Sequence, residues 1–187
     1  FAMATGTGKT ITSLNCLLEI YKHSGYYKAL ILVPTITLVE QWEKECRKFH
    51  FNKIIKVSSK NNNWKEEVAK IKIGERLSST GKENSYIIIS TYSSFAKERT
   101  FYDLNDFPKG QLLLIADEVH NMGSKLIIKR LPEIKYLRRI GLSATPDRQY
   151  DEEGNSAINS FLGVKDSYTF EYSMEEAIRN GVLCRYC

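Results

Sequence analysis

Five short, uninterrupted apolar runs set the frame for this chain: Ala29–Val33, Ile54–Val57, Tyr86–Ser90, Leu112–Ala116 and Ile140–Ser143. A strand with one wet face alternates apolar and polar residues, whereas a strand covered on both faces reads as a continuous apolar run. The runs therefore predict parallel strands buried on both sides. Between them, apolar residues recur at helical spacing. Ile11, Leu14, Leu17, Leu18 and Tyr21 fit one helix face, and Leu38, Trp42, Cys46 and Phe49 fit another. Strand alternating with helix implies βαβ units with right-handed crossovers. The expected fold is α/β, a mostly parallel doubly wound sheet flanked by helices. Loops are expected at Asn61–Asn63, Ser78–Ser85 and Asp147–Asn155, with Asp151-Glu152-Glu153 as a solvated acidic loop. Phe1-Ala2-Met3 reads as the tail of a strand that begins upstream, so a fragment of a longer protein is expected.

At 187 residues, the chain is long enough for one domain with a substantial core. Hydrophobic residues make up 42% and charged residues 26%, which excludes a disordered composition. No apolar run approaches the ~20 residues of a membrane helix, so no membrane partner is expected. The start lacks a signal-peptide pattern. The net charge of +5 permits a polyanionic partner without requiring one. Cys16 and Cys46 fall in helix-like stretches and read as buried thiols. Cys184 and Cys187 form one Cys-x-x-Cys, and no second pair of ligands follows to complete a zinc site. Nothing points to a disulfide framework, so an intracellular setting is expected.

The first chemical motif is Ala4-Thr5-Gly6-Thr7-Gly8-Lys9-Thr10. Glycines let such a loop wrap a phosphate with backbone N–H groups pointing inward. A helix beginning near Thr10 would add the partial positive charge of its N-terminus. Lys9 is placed to neutralise the β and γ phosphates, and the Thr10 hydroxyl to ligate Mg²⁺. The strict pattern asks for glycine where this chain has Met3. The plain alternative is an ordinary glycine turn before a helix.

The second motif is the apolar run Leu112–Ala116 followed by Asp117-Glu118-Val119-His120. A carboxylate at the end of a buried strand suits a metal held next to a nucleotide. Asp117 fits that role. Glu118, one residue further, can orient or deprotonate an attacking water. Two carboxylates at a strand-to-loop junction are the alternative. The two motifs together are far more specific than either alone.

At this point the chain resembles the first motor domain of superfamily 2 helicases and translocases. Met3–Thr10 resembles motif I, Leu32–Trp42 motif Ia with its Gln41-Trp42, and Ser90-Thr91-Tyr92 motif Ib or Ic. Asp117–His120 resembles a DEVH-type motif II, and Ser143-Ala144-Thr145 motif III. Gly141–Arg148 and the closing Tyr172–Tyr186 look like the motor subunits of type I and type III restriction enzymes and related repair helicases. The resemblance implies a RecA-like P-loop NTPase domain over residues 1–165, with residues 166–187 leading toward a second RecA-like domain of the same protein.

Carried over by residue, the resemblance implies that Thr5, Gly6, Thr7, Gly8, Lys9 and Thr10 bind ATP. Thr10 and Asp117 would hold Mg²⁺, and Lys9, Asp117, Glu118 and His120 would form the catalytic set. His120, Ser143 and Thr145 would couple nucleotide state to nucleic acid. Pro34, Thr35 and Thr91 are candidates for the nucleic-acid backbone, DNA in preference to RNA. Such contacts position a strand but read no sequence. Thr35 and Thr37 are equally plain helix caps. The basic and aromatic residues from Lys44 to Lys65 read as a solvated face rather than a binding stripe.

The implied function is the ATP-binding half of a nucleic-acid helicase or translocase, in a restriction or defence enzyme. By the same resemblance, a second domain supplies the arginines that stabilise the transition state, an effect of about 10³–10⁵ in rate. The chain alone is therefore expected to be a weak ATPase. Two alternatives stay open: an ATP-dependent nucleic-acid sensor, and a non-helicase P-loop nucleotide-binding regulator or kinase.

Overall fold

A computed structural model describes residues 1–77, 84–105, 111–145, 151–165 and 167–184. The expectations placed on Ser78–Glu83, on Pro146–Tyr150 and on Arg185, Tyr186 and Cys187 lie outside the described residues.

The elements run in order as β1 (Ala2–Met3), α1 (Lys9–Ser24), β2 (Lys28–Val33), α2 (Ile36–Lys48), β3 (Ile54–Val57), α3 (Trp64–Leu77) and β4 (Tyr86–Thr91). They continue with α4 (Tyr92–Phe95), α5 (Glu98–Asn105), β5 (Leu112–Asp117), a 3-10 turn (Val119–Gly123) and α6 (Lys125–Arg130). After a second 3-10 turn (Leu131–Glu133) come β6 (Tyr136–Leu142), α7 (Glu152–Leu162), β7 (Glu171–Tyr172) and α8 (Met174–Arg179). The main sheet has strand order β3-β4-β2-β5-β6, and its pairings are all parallel. β1 adjoins the end of β6: the Met3 amide donates to the Ser143 carbonyl at 3.0 Å. β7 pairs in parallel with β1 on its other side.

The two faces of the sheet bury two separate cores. Ala29, Ile31, Val33, Ile87, Ile89, Leu113 and Ile115 point toward α1 and α2, where Leu14, Leu17, Val39, Trp42 and Cys46 meet them. Leu30, Leu32, Ile88, Leu112 and Leu114 point the other way, toward Val68 and Ile71 of α3, Phe101 of α5 and Ile158 of α7. This is the two-sided coverage that continuous apolar runs demand. The fold is α/β with a central parallel sheet, as the sequence predicts.

Several local expectations need correction. Ile11 and Tyr21 are exposed at 51% and 42%, and the buried face of α1 is Ser13, Leu14 and Leu17. Cys16 is only half-buried, while Cys46 is fully buried. Burial holds the Cys46 thiol proton tightly, with a pKa pushed up to about 12. Cys184 is exposed, and Val182 two residues before it is 51% exposed. Asp151-Glu152-Glu153 does not form a loop. Asp151 caps α7, accepting from the Gly154 amide at 2.8 Å, and the two glutamates occupy the first turn. Carboxylates there complement the positive end of the helix, so helix formation gains what a loop would not.

Candidate nucleotide site and its flanking segments

The strands converge their carboxyl ends on one rim, and the motif residues lie along it. β1 leads directly into the glycine loop, and its backbone is held on both sides. The Ala2 and Ala4 amides donate to Phe170 and Tyr172 carbonyls, and Met3 donates to Ser143. Within the loop, Gly6 has φ +83° and Gly8 has φ +95°. A Cβ at Gly8 would touch nothing within 4 Å, so conformation rather than space calls for glycine there. The Thr7 hydroxyl donates to the Ala4 carbonyl at 2.6 Å and tightens the turn. Thr5 and Gly6 are exposed.

α1 starts at Lys9, one residue earlier than expected. Among the described residues no side chain caps its first turn, and that turn contains no acidic residue. By contrast α2, α4, α7 and α8 are each capped by a side chain, from Thr35, Thr91, Asp151 and Ser173. The first-turn N–H groups of a helix have no partner within the helix, so this terminus keeps its donors for an anion. The donor set therefore fits a polyphosphate.

The Lys9 side chain is 10% exposed and folds back over the loop. Its Nζ donates to the Met3 carbonyl at 3.2 Å and lies 3.9 Å from Glu118 Oε1. The glycine loop and the acidic motif, 109 residues apart by number (118 − 9), thus meet in space. Glu118 takes φ 47°, the left-handed region that non-glycine residues rarely adopt. Such strain concentrates at functional sites. Asn121 stabilises this turn, its side-chain and backbone N–H groups both donating to the Glu118 carbonyl. Around Glu118 Oε2 lie Ser143 Oγ at 3.5 Å and His120 Nδ1 at 3.7 Å. The Thr145 amide donates to Ser143 Oγ at 3.2 Å. Lys9, Glu118, His120 and Ser143 are therefore one cluster.

Asp117 sits deeper, 7% exposed, at the end of β5. Burial pushes its carboxyl pKa above the ordinary value; a hydrogen bond from Trp42, the Glu118 amide and the Lys9 charge oppose that rise, while the Glu118 charge adds to it. Trp42 Nε1 donates to Oδ2 at 2.8 Å, and the Glu118 amide donates to Oδ1 at 3.0 Å. The Tyr92 hydroxyl donates to the Asp117 backbone carbonyl at 2.9 Å. A carboxylate oxygen accepts more than one bond, so both oxygens keep capacity for a cation. A carboxylate and the Thr10 hydroxyl are hard oxygen donors, the ligand type that Mg²⁺ takes. The sequence marks Trp42 as part of a motif but gives it no task, and it gives Tyr92 none. Contacts this distant in the chain leave no local signal.

The segments proposed for nucleic acid flank this cluster. Pro34 and Thr35 follow β2; Thr35 is exposed, and its hydroxyl caps α2 by accepting from the Leu38 amide at 3.3 Å. Thr91 ends β4 but is buried at 3%, with its hydroxyl accepting from the Ser94 amide and donating to Ser94 Oγ. Thr145 is exposed next to Ser143. In residues 171–183, β7 pairs with β1, whose Ala2 bridges to Ser143 beyond β6; Ala177 of α8 is buried, and a Cβ on Gly6 would lie 3.3 Å from Leu183 Cδ2.

Comparison with known proteins is consistent with this geometry. The chain is 30% identical over 179 residues to a protein named "Putative helicase 22" of the Sulfolobus islandicus filamentous virus (isolate Iceland/Hveragerdi), covering 96% of this chain and 29% of that one. It is 29% identical over 167 residues to the general transcription and DNA repair factor IIH helicase/translocase subunit XPB of Enterocytozoon bieneusi, covering 86% of this chain and 25% of that one. The chain thus spans under a third of the length of these relatives. Among solved structures, a nuclease-deletion mutant of the type ISP restriction-modification enzyme LlaGI, in complex with a DNA substrate mimic, matches with a TM-score of 0.66. That match has 21% identity and covers 97% of this chain and 18% of the other, and it shows the RecA-like fold. The family model described as "Type III restriction enzyme, res subunit" matches residues 1–148, and the chain belongs to that family, with the fold of a superfamily 2 helicase motor domain.

Proposed function

We propose that this chain is the ATP-binding motor domain of a nucleic-acid translocase, acting on double-stranded DNA within a restriction or defence enzyme. The observation that carries the reading is the approach of the Lys9 amine to the Glu118 carboxylate at 3.9 Å, with Asp117 adjoining. In this reading the free N–H groups at the start of α1 and the Gly6–Gly8 turn bind the triphosphate, with Thr5 and Thr7 shaping the loop. Lys9 leaves the Met3 carbonyl and places its charge on the outer phosphates. Asp117 and Thr10 would hold Mg²⁺, which when bound would supply positive charge against the phosphates. Glu118 orients a water and accepts its proton.

Asp117–His120 then serves as a DEVH box. His120 and Ser143 touch the same Glu118 oxygen, so they report the state of that carboxylate to Thr145 and the neighbouring surface. Pro34, Thr35 and the Thr91 turn contact the nucleic-acid backbone without reading sequence. DNA is favoured because the LlaGI structure contains a DNA substrate mimic and the XPB relative is named for DNA repair.

The test is steady-state ATPase of the full-length protein with and without duplex DNA. Stimulation by DNA is expected, and Thr35→Ala and Thr91→Ala should each weaken it and lower DNA affinity. Unchanged affinity and stimulation in both variants would remove the nucleic-acid assignment. The 187-residue chain alone should bind nucleotide weakly and turn over slowly. Robust DNA-stimulated turnover from it would contradict the need for a second domain.

A further inference from the structure

Asp117 is braced from two directions, and both braces come from segments proposed to face nucleic acid. Trp42 belongs to α2, the helix that Thr35 caps. Tyr92 follows Thr91 directly and opens α4. Trp42 is 1% exposed and Tyr92 5%, so neither polar atom has water as a ready substitute partner. The indole donates to the carboxylate of Asp117 at 2.8 Å, and the phenol donates to its backbone carbonyl at 2.9 Å. Neither donor carries charge. They therefore orient Asp117 without cancelling its attraction for a cation, as a lysine or arginine in the same place would. An indole N–H also cannot accept, so Trp42 itself does not compete for the metal.

We propose that Trp42 and Tyr92 are positioning residues that fix Asp117 for its metal and make that position depend on the Thr35 and Thr91 segments. This inference rests on the nucleotide and metal reading above. A shift of α2 along its axis moves the indole, and a change in the turn after Thr91 moves the phenol. The backbone of Asp117 is held in the ladder opposite Leu142, but its carboxylate has beside the indole only the local bond from the Glu118 amide, so either change re-aims that carboxylate. Nucleic acid bound at those segments would thus alter metal affinity through two hydrogen bonds, with no contact to the nucleotide.

The experiment uses the full-length protein and a fluorescent ATP analogue, titrated with Mg²⁺ and again in EDTA. Trp42→Phe keeps an aromatic ring but removes the donor, and Tyr92→Phe removes one oxygen. Outer ligands of this kind are worth about 10–100-fold in metal affinity. Trp42→Phe should retain wild-type affinity in EDTA and lose about tenfold of the gain that Mg²⁺ confers, near the lower end of that range. Tyr92→Phe should shift the same quantity in the same direction by less. Both should reduce the ratio of ATPase with duplex DNA to ATPase without it.

An Mg²⁺-dependent gain and a DNA ratio equal to wild type in both variants would overturn the proposal and leave Trp42 as core packing. Loss of the Mg²⁺ response with an intact DNA ratio would keep the positioning role and overturn the coupling. If Trp42→Phe does not fold, Tyr92→Phe decides alone by the same two readouts. Lys9→Ala separates this from failure of the underlying reading: wild-type affinity of Lys9→Ala in EDTA would sink the phosphate-loop assignment itself.

Discussion

The two ends of the central sheet each set a lysine beside a glutamate, and they do so in opposite ways. At the amino end, Lys28 of β2 donates to Glu75 of α3 at 2.8 Å and to the side chain of Gln111 at 2.7 Å. Those lysine and glutamate side chains are 0% and 5% exposed, and the Tyr26 and Tyr86 rings lie near the ammonium. At the carboxyl end, Lys9 and Glu118 stand 3.9 Å apart, and Glu118 is 31% exposed on a left-handed backbone. The first pair is closed by short bonds, and it locks a helix to a strand. The second is too long for a strong hydrogen bond and retains room between its members. Polar groups held apart near solvent suit a site that must admit a ligand; polar groups bonded and sealed suit a fold.

Removing charge should therefore have opposite consequences at the two ends. Lys28→Met leaves Glu75 buried without its cation and should cost about 3–5 kcal/mol in chemical unfolding. The double variant Lys28→Met, Glu75→Leu should recover most of that loss, because two apolar residues need no partner. A cost for Lys28→Met as small as that of a surface substitution would erase the contrast. Gly8→Ala comes next. Space is open around a Cβ there, so the cost is that of a left-handed alanine, about 1–2 kcal/mol. A neutral result would show that the loop relaxes freely.

The smallest effect is expected where a charged pair is wet. Lys56 bonds Glu40 and Glu43 on the surface at 2.9 and 2.7 Å. Burial alone would raise the Glu43 carboxyl pKa, but the bonds from Lys56 and Arg47 outweigh it and leave that pKa below the ordinary value. The same bonds, from Glu43 and then Glu40, raise the Lys56 pKa. A depressed carboxylate stabilises above its unfolded pKa, and that contribution fades as pH falls through the folded pKa. A raised lysine stabilises below its unfolded pKa, and the contribution fades as pH rises through the folded pKa. Lys56→Ala should thus cost less than about 1 kcal/mol at neutral pH, and less still at either extreme. A larger loss would show that exposure does not weaken this pair.

The strands that carry the site were legible because coverage on both faces leaves a plain mark. Ala29–Val33 and Leu112–Ala116 lie within strands where every residue is buried. β6 was harder: it begins at Tyr136, but Leu137, Arg138 and Arg139 are exposed, so only its inner half reads as an apolar run. β1 and β7 are two residues each, too short to carry a period. On α1, periodicity pointed to Ile11 and Tyr21, while the helix buries Ser13 instead. Hydrophobicity marks a stripe, and neighbouring elements decide which edge of it is covered. At the site, the loop and the carboxylates were legible as residue types at fixed spacing. The left-handed Glu118 and the bonds from Trp42 and Tyr92 to Asp117 were not, because they depend on how separate segments pack.

Turnover by Glu118→Gln in the full-length protein, measured beside its nucleotide affinity, addresses the site most directly. If Glu118 acts on water rather than on the fold or the ligand, affinity stays near wild type and ATP hydrolysis falls by about 10²–10⁴. Hydrolysis at the wild-type rate would mean that the carboxylate facing Lys9 is not the catalytic base.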